Sequence, residues 1–169
     1  MSLGAIITTT NPLNTAAEIR KQINDSKPVI AFTTPPLASK IAAASSSLPI
    51  ILMQADNNSS FPSALTTLSR MMEKEGRSNR VKERVNQDDT ATLLYSSGTT
   101  GPSKGVVSSH RNLMAMVQIV LGRFNIEEEQ TFICTVPMFH IYGLVAFATG
   151  LLAAGATIVV LSKFEMHDM

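Results

Sequence analysis

Cysteine is nearly absent: Cys134 is the one thiol in 169 residues, so neither an internal disulfide nor a thiolate-based zinc site can be assembled. A reducing compartment is the default. Charge is also scarce, at 16% of residues with a formal net charge of +1, which offers no electrostatic handle for nucleic acid or an anionic membrane. Small-molecule chemistry fits better. The first residues, Met1-Ser2-Leu3-Gly4-Ala5, lack the basic start and long apolar stretch of a secretory signal, so no targeting signal is visible. What is plentiful is apolar, 44% hydrophobic residues, enough to fill the core of one domain of ordinary size.

From Ile141 to Ser162 no residue is charged, a length that raises the question of a membrane span. Gly155 divides the run into a helix-like half, Ile141 to Ala154, and a β-branched half, Thr157 to Leu161. A helix followed by a buried strand in a soluble core accounts for it better than a span.

Along the chain, Gly4 to Thr8 reads as a strand, closed by Asn11-Pro12, and Thr15 with Glu18 has capping-box spacing for a helix carrying Ile19 and Ile23 on one face. The alternation continues with strand Val29 to Phe32, helix Leu37 to Ala44, strand Ile50 to Met53 and helix Ala64 to Lys74. Arg70 to Arg84 then holds six basic and three acidic residues without apolar periodicity, which reads as a helix end entering a solvated connection. Mixed signs without interleaved aromatics argue against a nucleic-acid patch there. Strand character resumes over Ala91 to Tyr95, and Val106-Val107 suggests a further short strand. Ser108 or Ser109 can cap a helix that turns Leu113, Met116, Val117, Val120 and Phe124 to the core. Thr131 to Val136 is another strand, with Pro137 to Gly143 turning into the apolar helix. Short apolar strands alternating with helices predict an α/β fold with a mostly parallel, doubly wound sheet.

Between the strand ending at Tyr95 and the next lies Ser96-Ser97-Gly98-Thr99-Thr100-Gly101-Pro102-Ser103-Lys104-Gly105. A phosphate chain needs converging donors, a cation and a backbone that can come close. Gly98, Gly101 and Gly105 permit close approach, exposed amides can form an anion nest, and the hydroxyls of Ser96, Ser97, Thr99 and Thr100 add donors. Lys104 supplies a mobile point charge. The spacing is not that of a Walker A loop: counted from Gly98, the second glycine would fall at Ser103, and Gly105 follows the lysine where that motif needs a hydroxyl. A flexible linker shares the composition, but explains neither the preceding strand nor a lysine held between Ser103 and Gly105.

Tyr95 to Val106 resembles the phosphate-binding signature of the adenylate-forming superfamily. Gly4 to Phe32, with Thr10-Asn11-Pro12 and Lys21 to Ser26, is similar to plant 4-coumarate:CoA ligases and their ligase-like relatives, and Pro137-Met138-Phe139-His140-Ile141-Tyr142-Gly143-Leu144 resembles their second motif. The resemblance spans essentially the whole chain, whereas the family's enzymes are several-fold longer. It therefore implies that residues 1–169 are part of the N-terminal domain of an acyl-CoA ligase, without the C-terminal domain and its adenylation lysine.

The implied activity is acid–thiol ligation: a carboxylate, of hydroxycinnamate or fatty-acid type, attacks the α-phosphate of ATP to give an acyl-adenylate and pyrophosphate, and the thiol of coenzyme A then displaces AMP. ATP, Mg2+ and coenzyme A are the implied cofactors and co-substrates. Ser96, Ser97, Gly98, Thr99, Thr100 and Lys104 correspond to ATP-binding positions, His140 and Tyr142 to positions bordering the acyl-adenylate, and Lys163 to a basic position near coenzyme A. No metal ligand and no catalytic residue is assigned.

Each position also has a plainer reading. A histidine before an apolar helix often caps it, a lysine after a strand is usually solvated surface, Cys134 reads as a small buried thiol, and His110 reads as structural at a helix start. Ser96 and His140, each just past a strand, are expected to open at the same sheet edge. With so much of the family's site outside it, this polypeptide is not expected to be catalytic alone, and a non-catalytic nucleotide-binding or interaction module is the alternative. The compartment implied is cytoplasmic or peroxisomal.

Overall fold

Side chains placed three residues apart mark the starts of two helices, at Thr15 with Glu18 and at Ser109 with Asn112. In the computed structural model, which describes residues 1, 3–53, 64–73, 83–96, 103–124, 126 and 129–161, α1 (Ala16–Ser26) opens with the expected capping box. The Thr15 hydroxyl accepts from the Glu18 amide, and the Glu18 carboxylate accepts from the Thr15 amide at 2.7 Å. The chain divides into two compact units, Thr10–Lys82 and a second made of Met1–Thr9 with Glu83–Met169.

In the unit Thr10–Lys82, α1 leads to β1 (Ala31–Thr33), α2 (Pro35–Ala44), β2 (Ile50–Leu52), β3 (Ala64–Thr67) and α3 (Leu68–Glu73). The three strands pair in the order β1-β2-β3, both pairs parallel. Ile50, Ile51 and Leu52 are no more than 2% exposed, as a central parallel strand covered on both faces requires. Ala38, Ile41 and Leu48 pack with Ile50 and Leu52 to form the core. The Arg20 guanidinium donates to the Ala43 and Ala44 carbonyls at 2.6 and 3.1 Å, satisfying acceptors that the end of α2 leaves free. The helix expected over Ala64 to Lys74 is corrected: β-branched Thr66 and Thr67 go into β3, and α3 starts only at Leu68, where the Thr67 hydroxyl accepts from the Arg70 amide at 3.3 Å.

The other unit is built around β4 (Thr90–Ser96), followed by β5 (Lys104–Ser109), α4 (His110–Arg123), β6 (Thr131–Cys134), α5 (Ile141–Val145) and β7 (Thr157–Val160). β4 and β5 form an antiparallel hairpin, while β6 and β7 pair in parallel. The strand expected over Gly4 to Thr8 reduces to a single parallel bridge, Ile7 with Thr92, with the Ile7 amide on the Ala91 carbonyl at 3.0 Å and the Leu93 amide on the Ile7 carbonyl at 2.9 Å. Across the chain the pairing is mostly parallel, and the class is α/β.

The core face expected for α4 is also corrected. No residue of α4 is buried: Leu113, Val117 and Val120 are half-buried, while Met116 and Phe124 are 44% and 58% exposed. Val120 points toward Gly150 on the next helix, within 3.8 Å of where a Cβ would stand. Phe124 has already left the helix, at φ −110° and ψ 129°.

The uncharged run divides as expected. Helix α5 continues as a π-helix over Ala146–Leu151, and the chain then turns at Gly155, φ +80°, with the Ala156 amide on the Leu151 carbonyl and the Gly155 amide on the Leu152 carbonyl. Among the described residues no helix is long and apolar enough to cross a membrane. β7 is less buried than expected, Val159 and Val160 being 40% and 65% exposed, because its sheet has only two strands among the described residues. Cys134 is a buried free thiol, donating to the Val136 carbonyl at 3.2 Å.

Thr92 is fully buried, and its hydroxyl has no hydrogen-bond partner among the described residues. Replacing a stranded hydroxyl by an isosteric methyl removes a desolvation cost, so Thr92→Val is expected to raise unfolding stability by about 1 kcal/mol. A shift of the urea midpoint at constant slope measures it.

Candidate functional site

The segment Thr-Leu-Leu-Tyr suits an extended, half-buried strand, and β4 buries Ala91, Thr92 and Leu94 on its way to Ser96. Its antiparallel partner returns in register from Leu93 opposite Val107 to Ser96 opposite Lys104. Lys104 is therefore the first residue of a six-residue strand rather than the end of a loop before Val106, as the sequence had suggested. Directly opposed residues in such a pair have Cβ atoms about 4.5–5.5 Å apart on one face. Ser96 and Lys104, both exposed, thus close the base of the connection numbered 97–103. Ser97, Gly98, Thr99 and Thr100 of that connection lie outside the described residues, and Lys163, far along the chain, lies outside them too.

The nearest helix start is occupied by the protein's own groups. The Ser109 hydroxyl accepts from the Asn112 amide at 3.2 Å, the His110 amide donates to the Asp89 carbonyl at 3.1 Å, and the Arg111 amide donates to the Gln87 carbonyl at 2.7 Å. Its first donors are spent on Ser109 and on the turn before β4, so the start of α4 is not free to take a phosphate. His110 stands at a structural helix start, as expected, although the capping side chain is that of Ser109. Arg111 adds a two-toothed ion pair with Asp88, Nε to Oδ1 at 2.7 Å and Nη2 to Oδ2 at 3.0 Å. The hydrogen bonds from Arg111, and then its charge, hold the Asp88 carboxyl below the ordinary aspartate value.

His140 is the N-cap of α5. Its Nδ1 accepts from the Tyr142 amide at 3.4 Å, and its own amide donates to the Pro137 carbonyl at 3.1 Å. The capping role weighed in the sequence is thus present. A neutral imidazole that accepts at Nδ1 carries its proton on Nε2, which leaves that edge of the exposed ring as a donor. Tyr142, 58% exposed, stands in the first turn of the same helix.

Two residues that hold this turn were not singled out from the sequence. Gly143 is buried with its Cα against the preceding turn: a Cβ there would overlap the Pro137 carbonyl oxygen and stand 2.7 Å from its carbon and 2.9 Å from the Met138 Cα. Its place inside the quoted motif was the available signal. Thr9 donates its hydroxyl to the Phe139 carbonyl at 2.6 Å across 130 positions, a contact that no local pattern announces. Because Ile7 runs parallel to β4, Thr9 lies beyond it in the direction in which β4 runs to Ser96. The turn bearing His140 is therefore tied to the carboxyl-end side of β4.

The family profile described as AMP-binding enzyme matches residues 1–169. This chain belongs to the AMP-binding enzyme family. It is 69% identical over 170 residues to peroxisomal OPC-8:0-CoA ligase 1 of Arabidopsis thaliana, covering 100% of this chain and 31% of that protein. To 4-coumarate–CoA ligase-like 4 of Oryza sativa subsp. japonica it is 56% identical over 174 residues, again over 100% of this chain and 32% of the relative. The chain thus spans about a third of the length of these curated relatives. Among solved structures, ATP-bound MatB from Rhodopseudomonas palustris aligns with a TM-score of 0.74 at 24% identity, over 96% of this chain and 31% of MatB, which shows a shared fold.

Gly143→Ala is expected to destabilise the chain by about 3 kcal/mol, since the new methyl meets backbone on a neighbouring turn rather than a movable side chain. Chemical denaturation reads the loss. Asp88→Asn is expected to lower the thermal midpoint modestly at neutral pH, because the depressed carboxyl contributes stability above its unfolded value. That difference from the parent should vanish as pH falls through the depressed value, which thermal melts across the acid range will show.

Proposed function

We propose that residues 1–169 form part of the N-terminal domain of an ATP-dependent acyl-CoA ligase, with the Ser96–Lys104 hairpin gripping the β- and γ-phosphates of ATP. The cross-strand pairing of Ser96 with Lys104 carries this reading. It confines a connection rich in glycine and hydroxyls to one narrow base and sets a cation beside the entering serine. Ser97, Gly98, Thr99 and Thr100 supply the remaining donors. Phosphoryl chemistry of this kind depends on neutralising oxygen charge and on holding the nucleophile in line, so donors and a cation serve it without a covalent group.

On the acyl side, His140 would offer its Nε2–H and Tyr142 its ring to the carboxylate and the adenylate formed from it. Lys163 would stand toward coenzyme A. Mg2+ would supply charge neutralisation at the phosphates, and no described residue is assigned to hold it, since no cluster of His, Cys, Asp or Glu among the described residues could hold a metal. The CoA-ligase names of the relatives favour a hydroxycinnamate or fatty-acid type substrate, in phenylpropanoid or related metabolism. A peroxisomal relative keeps the compartment as peroxisomal or cytoplasmic.

The 169 residues by themselves are read as inactive. Val106, Val107, Phe124 and Val160 are 49%, 62%, 58% and 65% exposed, an apolar surface that a ligase domain would cover with further chain.

A chimera in which residues 1–169 replace the 69% identical segment of the Arabidopsis ligase tests both statements. In it, Lys104→Ala is expected to slow ATP–pyrophosphate exchange about ten- to a hundred-fold, with AMP affinity nearly intact. Equal loss of AMP binding would place the lysine elsewhere. Unfused residues 1–169, assayed in parallel, should show no exchange above the Lys104→Ala chimera, and clear exchange would mean that this stretch suffices for adenylation.

A further inference from the structure

The peptide joining Phe139 to His140 is held at both of its polar ends. Its carbonyl accepts from the Thr9 hydroxyl at 2.6 Å, and its N–H donates to the Pro137 carbonyl at 3.1 Å. A peptide unit is planar and stiff, so pinning both ends fixes the direction in which the chain leaves it, and with it the Cα of His140. The ring is then set by its own bond, Nδ1 accepting from the Tyr142 amide. Removing the Pro137 contact would loosen the turn's internal closure, whereas the Thr9 contact ties the turn to a distant segment of the chain.

Thr9 is itself well anchored. It lies two residues beyond Ile7, whose amide and carbonyl both bond to β4, and β4 carries Ser96 opposite Lys104. One hydroxyl thus ties the segment bridged to the strand that bears the phosphate-side residues to the turn that bears the acyl-side histidine.

We propose that Thr9 is a positioning residue that sets His140 for the acyl substrate through the Phe139–His140 peptide. The inference rests on the reading of that turn as acyl-facing. In this role Thr9 acts by orientation through the Phe139 carbonyl, so its loss should be felt at the carboxylate more than at ATP. The phosphate hairpin keeps its own register through β4–β5 pairing.

The test uses the full-length chimera described above. Thr9→Val removes the donor at nearly constant shape, Thr9→Ala does so without branching should the valine variant fail to fold, and Thr9→Ser keeps the donor. Expected for the donor-less variants is a KM for the carboxylate raised about ten-fold, an unchanged KM for ATP, and faster amide hydrogen exchange in peptides covering residues 137–145. Thr9→Ser should restore all of these to parental values. A parental carboxylate KM, an equal rise in both KM values, or unchanged exchange in the turn would overturn the proposal. His140→Ala separates the two layers: an unaltered carboxylate KM there would sink the acyl reading of the turn, while the exchange measurement still decides whether Thr9 holds it.

Discussion

Pairing along β4 is the constraint on which the unit Met1–Thr9 with Glu83–Met169 depends. On one side Ile7 bonds to it in parallel, and on the other β5 returns antiparallel from Lys104 to Ser109. The same return delivers Ser109 into the cap of α4, and the amides of His110 and Arg111 then close onto Asp89 and Gln87, the turn that precedes β4. One strand thereby fixes the hairpin base, the start of the following helix and the level of the N-terminal segment. Every one of these contacts is a backbone bond or a cap, so the geometry tolerates side-chain change better than a change of register.

Consuming the donors at the start of α4 has a chemical consequence. Phosphate recognition in α/β proteins often falls to a helix N-terminus, but here those amides are already bonded. On the proposed function, phosphate binding would therefore fall to the connection numbered 97–103 and to Lys104 rather than to this helix start. A lysine on a paired strand has a fixed root and a mobile tip, which is compatible with that proposed role.

The second motif is organised by crowding. Gly143 lets the first turn of α5 lie directly against the Pro137 carbonyl, and His140 caps that turn with its own ring. Downstream the helix widens into a π-helix over Ala146–Leu151, where the Thr149 hydroxyl donates to the Leu144 and Val145 carbonyls. Side chains fill in where backbone partners shift by one residue, and such widening commonly accompanies functional sites.

Local signals were enough to read much of this chain. Thr15 with Glu18, the strand into Ser96, the break at Gly155 and the burial of Cys134 are all legible because each depends on neighbours within a few residues. The motif text likewise carried the family, since the Tyr95–Val106 segment and its flanking strand lie contiguous in sequence. Local propensity misled where pairing overrode it: Ala64–Thr67 became a strand beside β2, and Gly4 to Thr8 kept only the Ile7 bridge. The α4 stripe marked a face that packs, yet not how much of it would be covered, because that depends on what lies opposite. What only the tertiary structure decided is the opposition of Ser96 and Lys104, and the reach of Thr9 to Phe139 across 130 positions. Composition and periodicity describe a residue's neighbours along the chain, whereas these contacts exist only once strand register has brought distant residues to hydrogen-bonding distance.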